Sequence, residues 1–430
     1  MKDRLFQIWF SLRCGIACKE FVPLLERYGS PYAIFDLDEA EIEQLGCSDR
    51  LKNALSNKEL DESYRILSWC ENNGVGLLFW SDKEYPSSLR ILRDPPVLLY
   101  YKGELPSFDT YLCISVVGTR KMSEYGKRMA YKIGYELGAV KAIVISGMAL
   151  GNDSVAAAGA LAAGGKTVAV LGSGIDVIYP PVHTKFMGEI LARGGLVVSE
   201  YAPGTEPLGR NFPIRNRIIS GLGQGTVVIE ADMDSGALIT AKAALLQGKD
   251  LYAVPGNVGD QNTSGTNQLI HDGAIVTLGG RDIIENYEFL YRHTLDMARL
   301  RKAEKDSEHN DAFIDKLGVY SRVIRTASAP QRNTPIVTPS EPAKSEKPSR
   351  PVKPKAPKRE AAIGDNSEKM LETLTEKQRS IFSALPLDRA VPVDYITREG
   401  YSLPDVIAAM TILEIKGLVV SLPGGLYSRK

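Results

Sequence analysis

Five basic side chains stand beside predicted turns in a chain whose 52 basic and 52 acidic residues cancel. They are Arg120 in "GTR", Lys185 in "YPPVHTKF", and Arg210, Arg215 and Arg217 in "GRNFPIRNRIISG". Guanidinium groups bind phosphate oxygens two at a time, so a row of them suits several phosphates better than one. With no global field, such a site has to be a local arrangement. Small residues accompany the charges: Gly118 and Thr119 before Arg120, Ser146, Gly147 and Gly151 in "SGMALGND", and Gly172-Ser173-Gly174. Glycines permit close backbone approach, and turns opening a helix aim N–H donors at an anion. The spacing is neither the dinucleotide fingerprint nor a Walker A loop. Taken singly, each glycine reads as a tight strand-to-helix turn. Tyr179, Phe186 and Phe212 are aromatic residues near these turns; Phe212 reads equally well as a core anchor for the loop before Pro213.

Catalytic and metal chemistry is thin. His183, His271, His293 and His309 have no metal-ligand spacing, and no "GxSxG" elbow is present. Glu200 and Glu230 end apolar runs, where they either act as acids or else orient Arg215 or Arg217 or cap a helix; the second reading is favoured. Cys14, Cys18, Cys47 and Cys70 fall in the first 70 residues in no metal pattern and read as core residues. No metal and no cofactor are expected.

The elements that must position these residues follow from periodicity. The runs "LCISVVG", "AIVISG", "TVAVLG", "GLVVSE", "TVVIEA" and "LYAVPG" alternate with segments of helical length. Unbroken apolar strands between helices predict an α/β fold, an extended Rossmann-like, doubly wound and mostly parallel sheet. Ligands of such sheets bind beyond the carboxyl ends of the strands, where the residues above collect. Arg210, Arg215 and Arg217 are expected to precede a helix beginning near Ile218. Residues 1–80 read as a small helical N-terminal domain of helix-hairpin-helix or SAM-like type, with more acidic than basic side chains. The α/β domain is expected over 81–295, and a flexible Pro/Lys-rich linker over 296–367. Residues 368–430 read as a winged helix, three helices and then two strands around Pro423-Gly424-Gly425. No run approaches the ~18 apolar residues of a membrane span, and a cytoplasmic protein is expected.

The ordered segments "VVGTRKMSEYG", "ISGMALGND", "VAVLGSGIDVIYP", "VVSEYAPG", "NFPIRNRIISGL", "VVIEADMDSGALITAKAALLQGKDLYAVPG" and "SGTNQLIHDGA" closely resemble the DNA-processing protein A (DprA/Smf) family. That resemblance implies a non-enzymatic single-stranded-DNA-binding protein of natural transformation. Such proteins protect incoming DNA, help load the RecA recombinase for homologous recombination, and form homodimers. It implies DNA contacts at Gly118, Thr119 and Arg120, at Ser146, Gly147 and Gly151, at Lys185, and at Phe212, Arg215, Asn216 and Arg217; for a single strand, Tyr179, Phe186 and Phe212 are then candidate faces on which unpaired bases stack, at ~1–3 kcal/mol per base. Two positions depart from the family pattern: Asn152 stands where Ile is usual, and His183 where Asn is usual.

Two other readings remain open at this level. "PGNVGD" weakly resembles the phosphate loop of nucleotide phosphoribohydrolases, with Glu200 or Glu230 as the acid. The C-terminal module alternatively makes the chain a winged-helix transcription regulator, although its third helix, "SLPDVIAAMTILEIKG", offers little positive charge beyond Lys416.

Overall fold

The computed structural model describes residues 2–307, 311–319, 374–386 and, beyond these, 391–392, 401, 406, 409–410, 412–414, 416, 418–422 and 426–429. These fall into two compact units divided at residue 333.

The first unit opens with helices α1 (Lys2–Cys14), α2 (Phe21–Tyr28), α3 (Pro31–Phe35), α4 (Glu39–Glu43), α5 (Asp49–Ser56) and α6 (Asp61–Asn72). Local signals set their limits: Gly29 closes α2 in the left-handed region at φ 77, and Asp38 with Glu41 forms a capping box on α4. These helices do not build a core of their own. Trp9, Phe10 and Phe21 belong to the same buried cluster as Phe79 and Tyr100 of the sheet, and Arg4 pairs with Asp82 at 2.6 Å.

The sheet has nine strands among the described residues, in the order β1-β2-β6-β5-β4-β3-β7-β8-β9. They are β1 (Gly76–Phe79), β2 (Leu98–Gly103), β3 (Cys113–Val117), β4 (Ile143–Ser146), β5 (Thr167–Leu171), β6 (Leu196–Ser199), β7 (Gly225–Val228), β8 (Asp250–Ala253) and β9 (Ile275–Val276). Only β2 runs against its neighbours. Strands β3 to β7 are buried along their whole length, the mark of a parallel sheet covered on both faces. Alternation divides the core. Ile114, Val116, Val144 and Val227 face a cluster that includes α8 (Glu124–Ala139) and α9 (Asn152–Ala162). Cys113, Val117, Ile145 and Val228 face Ile218 and Ile219 of α11 (Asn211–Leu222) and Ala237 and Ala241 of α12 (Gly236–Leu246).

Helices α8 and α9 meet through small residues. A Cβ on Gly134 would collide with the Ala156 carbonyl, and one on Gly138 would reach Ala160. That seam brings the turns leaving β3 and β4 close together.

Both predicted boundaries of the α/β region move. Strand β1 already lies within 1–80. Residues 297–319, assigned to the linker, contain α15 (Leu300–Asp306) and α16 (Asp311–Lys316); Leu300, Ala303, Ile314 and Leu317 are buried. Their apolar periodicity outweighs the polar composition that suggested a tether. The rest of the predicted linker, 320–367, lies outside the described residues.

In the second unit, α17 (Glu376–Ala384) begins with a Thr375–Gln378 capping box. Strands β10 (Val391–Pro392), β11 (Val419–Leu422) and β12 (Leu426–Arg429) form an antiparallel sheet ordered β10-β12-β11. Ile381, Val406, Met410, Leu413 and Val419 supply its core. The expected wing turn Pro423-Gly424-Gly425 lies outside the described residues.

Candidate nucleic-acid interface

Strand order reverses at β3: the chain goes from β3 through β4 and β5 to β6 on one side, then from β7 through β8 to β9 on the other. The carboxyl ends of β3 and β7 therefore flank the topological switch point, where open α/β sheets hold ligands. A cavity of ≈ 580 Å³ opens there. Gly118, Thr119, Arg120, Lys121, Phe212, Arg215 and Asn216 line it, with Asp232, Asp234 and Ser235 opposite.

The turns that form the cleft are pinned from below. Asp153, buried at the start of α9, accepts the amide of Gly118 at 3.2 Å and that of Gly147 at 2.9 Å. These two amides thus join the β3 and β4 turns to each other, where the sequence had suggested donors for a phosphate. Ser146 is buried and accepts from the Met148 amide. Gly151, at φ 82, sits so close that a Cβ would collide with the Thr119 carbonyl oxygen. His183 is buried, and its Nδ1–H donates to the Met148 carbonyl at 3.0 Å. Burial lowers the imidazole's pKa, so the ring is neutral. It braces Met148, which adopts the strained left-handed φ of 51.

Helix α11 starts at Asn211, seven residues before the expected Ile218, because Pro213 falls in its first turn, where a missing N–H costs nothing. Arg215 and Arg217 are therefore helical and two positions apart, roughly 200° around the axis, so they cannot face one ligand together. The Arg215 guanidinium donates to the carbonyls of Gly147, at 3.2 Å, and Val170. Burial pushes it down to about 10, opposed by Asp153, and it remains a cation at neutral pH. Arg217 turns the other way, donating to Glu200 at 2.7 Å with Asp94 at 3.5 Å. Burial works to lower it, but Glu200 and Asp94 hold it above its ordinary value.

Phe212 organises the exposed edge. Its half-buried ring lies 5.5 Å from the Arg120 guanidinium, 5.8 Å from that of Arg215 and 5.3 Å from the ring of Tyr179. Gly172 backs it, leaving no room for a side chain. Phe186, by contrast, is wholly buried and packs edge-on against His183, so it is a core residue and no stacking face. Lys185 lies outside the cleft lining; its stem packs against Gly318 beyond α16. Arg210 lines a separate cavity beside α1. The predicted site residues that reach the cleft are thus Gly118, Thr119, Arg120, Phe212, Arg215 and Asn216. Sequence reading passed over Lys121, whose position directly after Arg120 was the available signal.

Both strand-end glutamates are buried and make internal contacts. Glu200 is occupied by Arg217 and the Ala17 amide, and both oxygens of Glu230 accept from Ser123. Among the described residues no group of three or more His, Cys, Asp or Glu side chains is placed to hold a metal, and no helix is long and apolar enough to cross a membrane.

Fold and cleft define a doubly wound α/β protein with its crevice at the switch point, followed by a three-stranded C-terminal module. Residues 76–288 match the family described as DNA recombination-mediator protein A, and residues 366–425 match the DprA winged helix domain. The chain is 41% identical over 210 residues to the DNA processing protein DprA of Streptococcus pneumoniae, 48% of this chain and 73% of that one. It is 39% identical over 223 residues to protein Smf of Escherichia coli, 52% of this chain and 59% of that one. The X-ray structure of DprA from Streptococcus pneumoniae superposes with a TM-score of 0.57 at 33% identity, covering 65% of this chain and 97% of that one. The chain belongs to the DprA/Smf family of DNA-processing proteins.

Proposed function

We propose that the protein binds single-stranded DNA along the switch-point cleft, without catalysis, and that as a homodimer in the cytoplasm it protects incoming strands and helps load RecA recombinase during transformation. The observation that supports this most is the exposed Arg120 guanidinium over the Phe212 ring, with Tyr179 beside it and Lys121 next in the chain. Cations set against aromatic faces suit a ligand that alternates phosphates with flat bases. The partly buried Phe212 ring lines the cleft and offers a stacking face to an unpaired base, whereas a base inside a duplex is already stacked on both sides. The strand-end carboxylates are engaged in internal pairs, which disfavours the hydrolase alternative.

The test is equilibrium binding of fluorescent oligonucleotides to the full chain across a salt series. Wild type is expected to bind single strands in preference to duplex, with log affinity falling linearly in log salt. Arg120→Ala and Lys121→Ala are each expected to flatten that slope by about 0.7. Unchanged affinity and slope in both variants would remove the cleft from consideration. Release of free base from nucleotides by the purified protein would revive the hydrolase.

A further inference from the structure

Three of the five cysteines, Cys14, Cys18 and Cys47, gather at the N-terminal helices, and all are free thiols. Cys14 ends α1 and Cys18 stands just before α2, with Gly15-Ile16-Ala17 between them. Gly15 at φ 73 and Ala17 at φ 56 both take the left-handed region, which turns the chain back and sets the two thiols against each other. The Cys14 S–H donates to the Cys18 sulfur, and the amides of Glu20 and Phe21, at the opening of α2, donate to the same atom. Three donors converging on one sulfur suit a thiolate, which an inert core cysteine does not need.

The electrostatics divide the pair. The Cys14 hydrogen bond pulls the Cys18 thiol down, burial opposes it, and the two amides add to the pull, leaving it at about 7 against an ordinary 9.0. Burial first, and then that same hydrogen bond, push Cys14 well above its ordinary value. One thiol is substantially ionised at neutral pH and its neighbour keeps its proton, as a nucleophilic and a resolving cysteine require. Burial instead lifts Cys70 to about 11 and Cys113 to about 12. The turn between the pair reaches the surface: Gly15 and Ile16 line an open cavity of ≈ 410 Å³, Ile16 is exposed, and half-buried Cys47 stands near both sulfurs. Cys18 itself is 4% exposed, so a reagent that meets it has to be small.

We propose that Cys14 and Cys18 are a peroxide-reactive pair that closes to an intramolecular disulfide. The Cys18 sulfur attacks the terminal oxygen of a hydroperoxide. The S–O bond forms, the O–O bond breaks, and the departing alkoxide or hydroxide takes a proton from water; the sulfur loses two electrons and the peroxide gains them. Cys14 then attacks the sulfur of the Cys18 sulfenic acid. The S–S bond forms, the S–O bond breaks, and the leaving hydroxide takes the Cys14 proton to become water. The Ala17 amide beside Cys18 donates to Glu200 Oε1, which also accepts from Arg217, so two hydrogen bonds link this turn to α11 and the cleft.

The test treats the full-length protein with hydrogen peroxide, alkylates the remaining thiols in denaturant and digests with trypsin, which releases both cysteines in one fragment, "CGIACK". In wild type this fragment is expected to be unalkylated and two hydrogens lighter, and to return to its alkylated form when dithiothreitol precedes alkylation. Its conversion is expected to run at least about tenfold faster than loss of alkylation at Cys70 or Cys113. Cys18→Ala is expected to leave Cys14 alkylatable, and Cys14→Ala to stop at a Cys18 sulfenic acid that dimedone traps. Circular dichroism checks the fold of both variants, and the wild-type fragment decides without them. A fragment that stays alkylated in wild type, a Cys18–Cys47 link in its place, or oxidation of Cys14 that persists in a folded Cys18→Ala overturns the pair.

Discussion

Arg217 donates through Nη2 to Glu200 Oε1 at 2.7 Å, with 9% and 3% of the two side chains exposed. The pair ties α11 to the end of β6, and Glu200 also receives the Ala17 amide from the turn after α1. Removing one partner leaves the other charge buried and uncompensated. Arg217→Met is expected to lower unfolding free energy by ~3–5 kcal/mol, read from urea denaturation. Adding Glu200→Gln is expected to recover part of that loss; strictly additive effects would mean that the two charges are not coupled.

Lys185 and Arg120 are both exposed cations, yet only Arg120 lines the cleft. Lys185→Ala is expected to leave the salt dependence of oligonucleotide binding unchanged, whereas Arg120→Ala lowers it. Both variants are expected to stay within ~0.5 kcal/mol of wild-type stability. A matching loss in the Lys185 variant would extend the binding path across α10 (Thr184–Ala192).

Phe186 and Phe212, both stacking candidates by sequence, are expected to separate cleanly. Phe186→Ala opens a cavity in the core and costs ~3–5 kcal/mol of stability. Phe212→Ala is expected to weaken strand binding by ~1–3 kcal/mol with a smaller effect on folding. Thermal unfolding and oligonucleotide titration of the same two preparations give the answer.

Burial raises the Glu230 carboxyl above its ordinary value of 4.5, with the Ser123 hydrogen bonds opposing. The native state therefore takes up this proton before the unfolded chain does. Glu230 destabilises the fold above the raised pKa, and the penalty shrinks as pH falls through that value toward 4.5. Glu230→Gln is expected to flatten this part of the stability profile, measured as urea midpoints from about pH 7.5 down to 5. A variant that follows the wild-type curve throughout would assign the slope to other groups; Asp153, raised by burial in the same sense, is the first to examine.

Six strands and the sheet class were readable because each strand is an unbroken apolar run between helical segments. Strands β1, β2 and β9 were not. The first two pair antiparallel at an edge, and β9 has two residues, Ile275 and Val276, both exposed, so none carries the buried-run signature. Within the site, the clustering of strand-end residues was legible and their individual roles were not. The start of α11 was hidden by Pro213, and that shift decided that Arg215 and Arg217 face apart. Nor does sequence distinguish an amide that awaits a ligand from one already taken by Asp153, because the distinction depends on a carboxylate arriving from α9. The inward turn of Phe186 follows from helical phase, which a two-residue misjudgement reverses.

The glycine seam between α8 and α9 has a thermodynamic consequence. With main chain resting on main chain at Gly134 and Gly138, no side-chain rotamer lies between the helices to let them slide, and the turns they carry are braced against each other by Asp153. The cleft is thus braced, and in the proposed binding of a strand the ordering entropy of association would fall on the strand and hardly on the protein. A methyl group at Gly134 would loosen that brace from a distance, weakening capture while leaving every cleft residue in place.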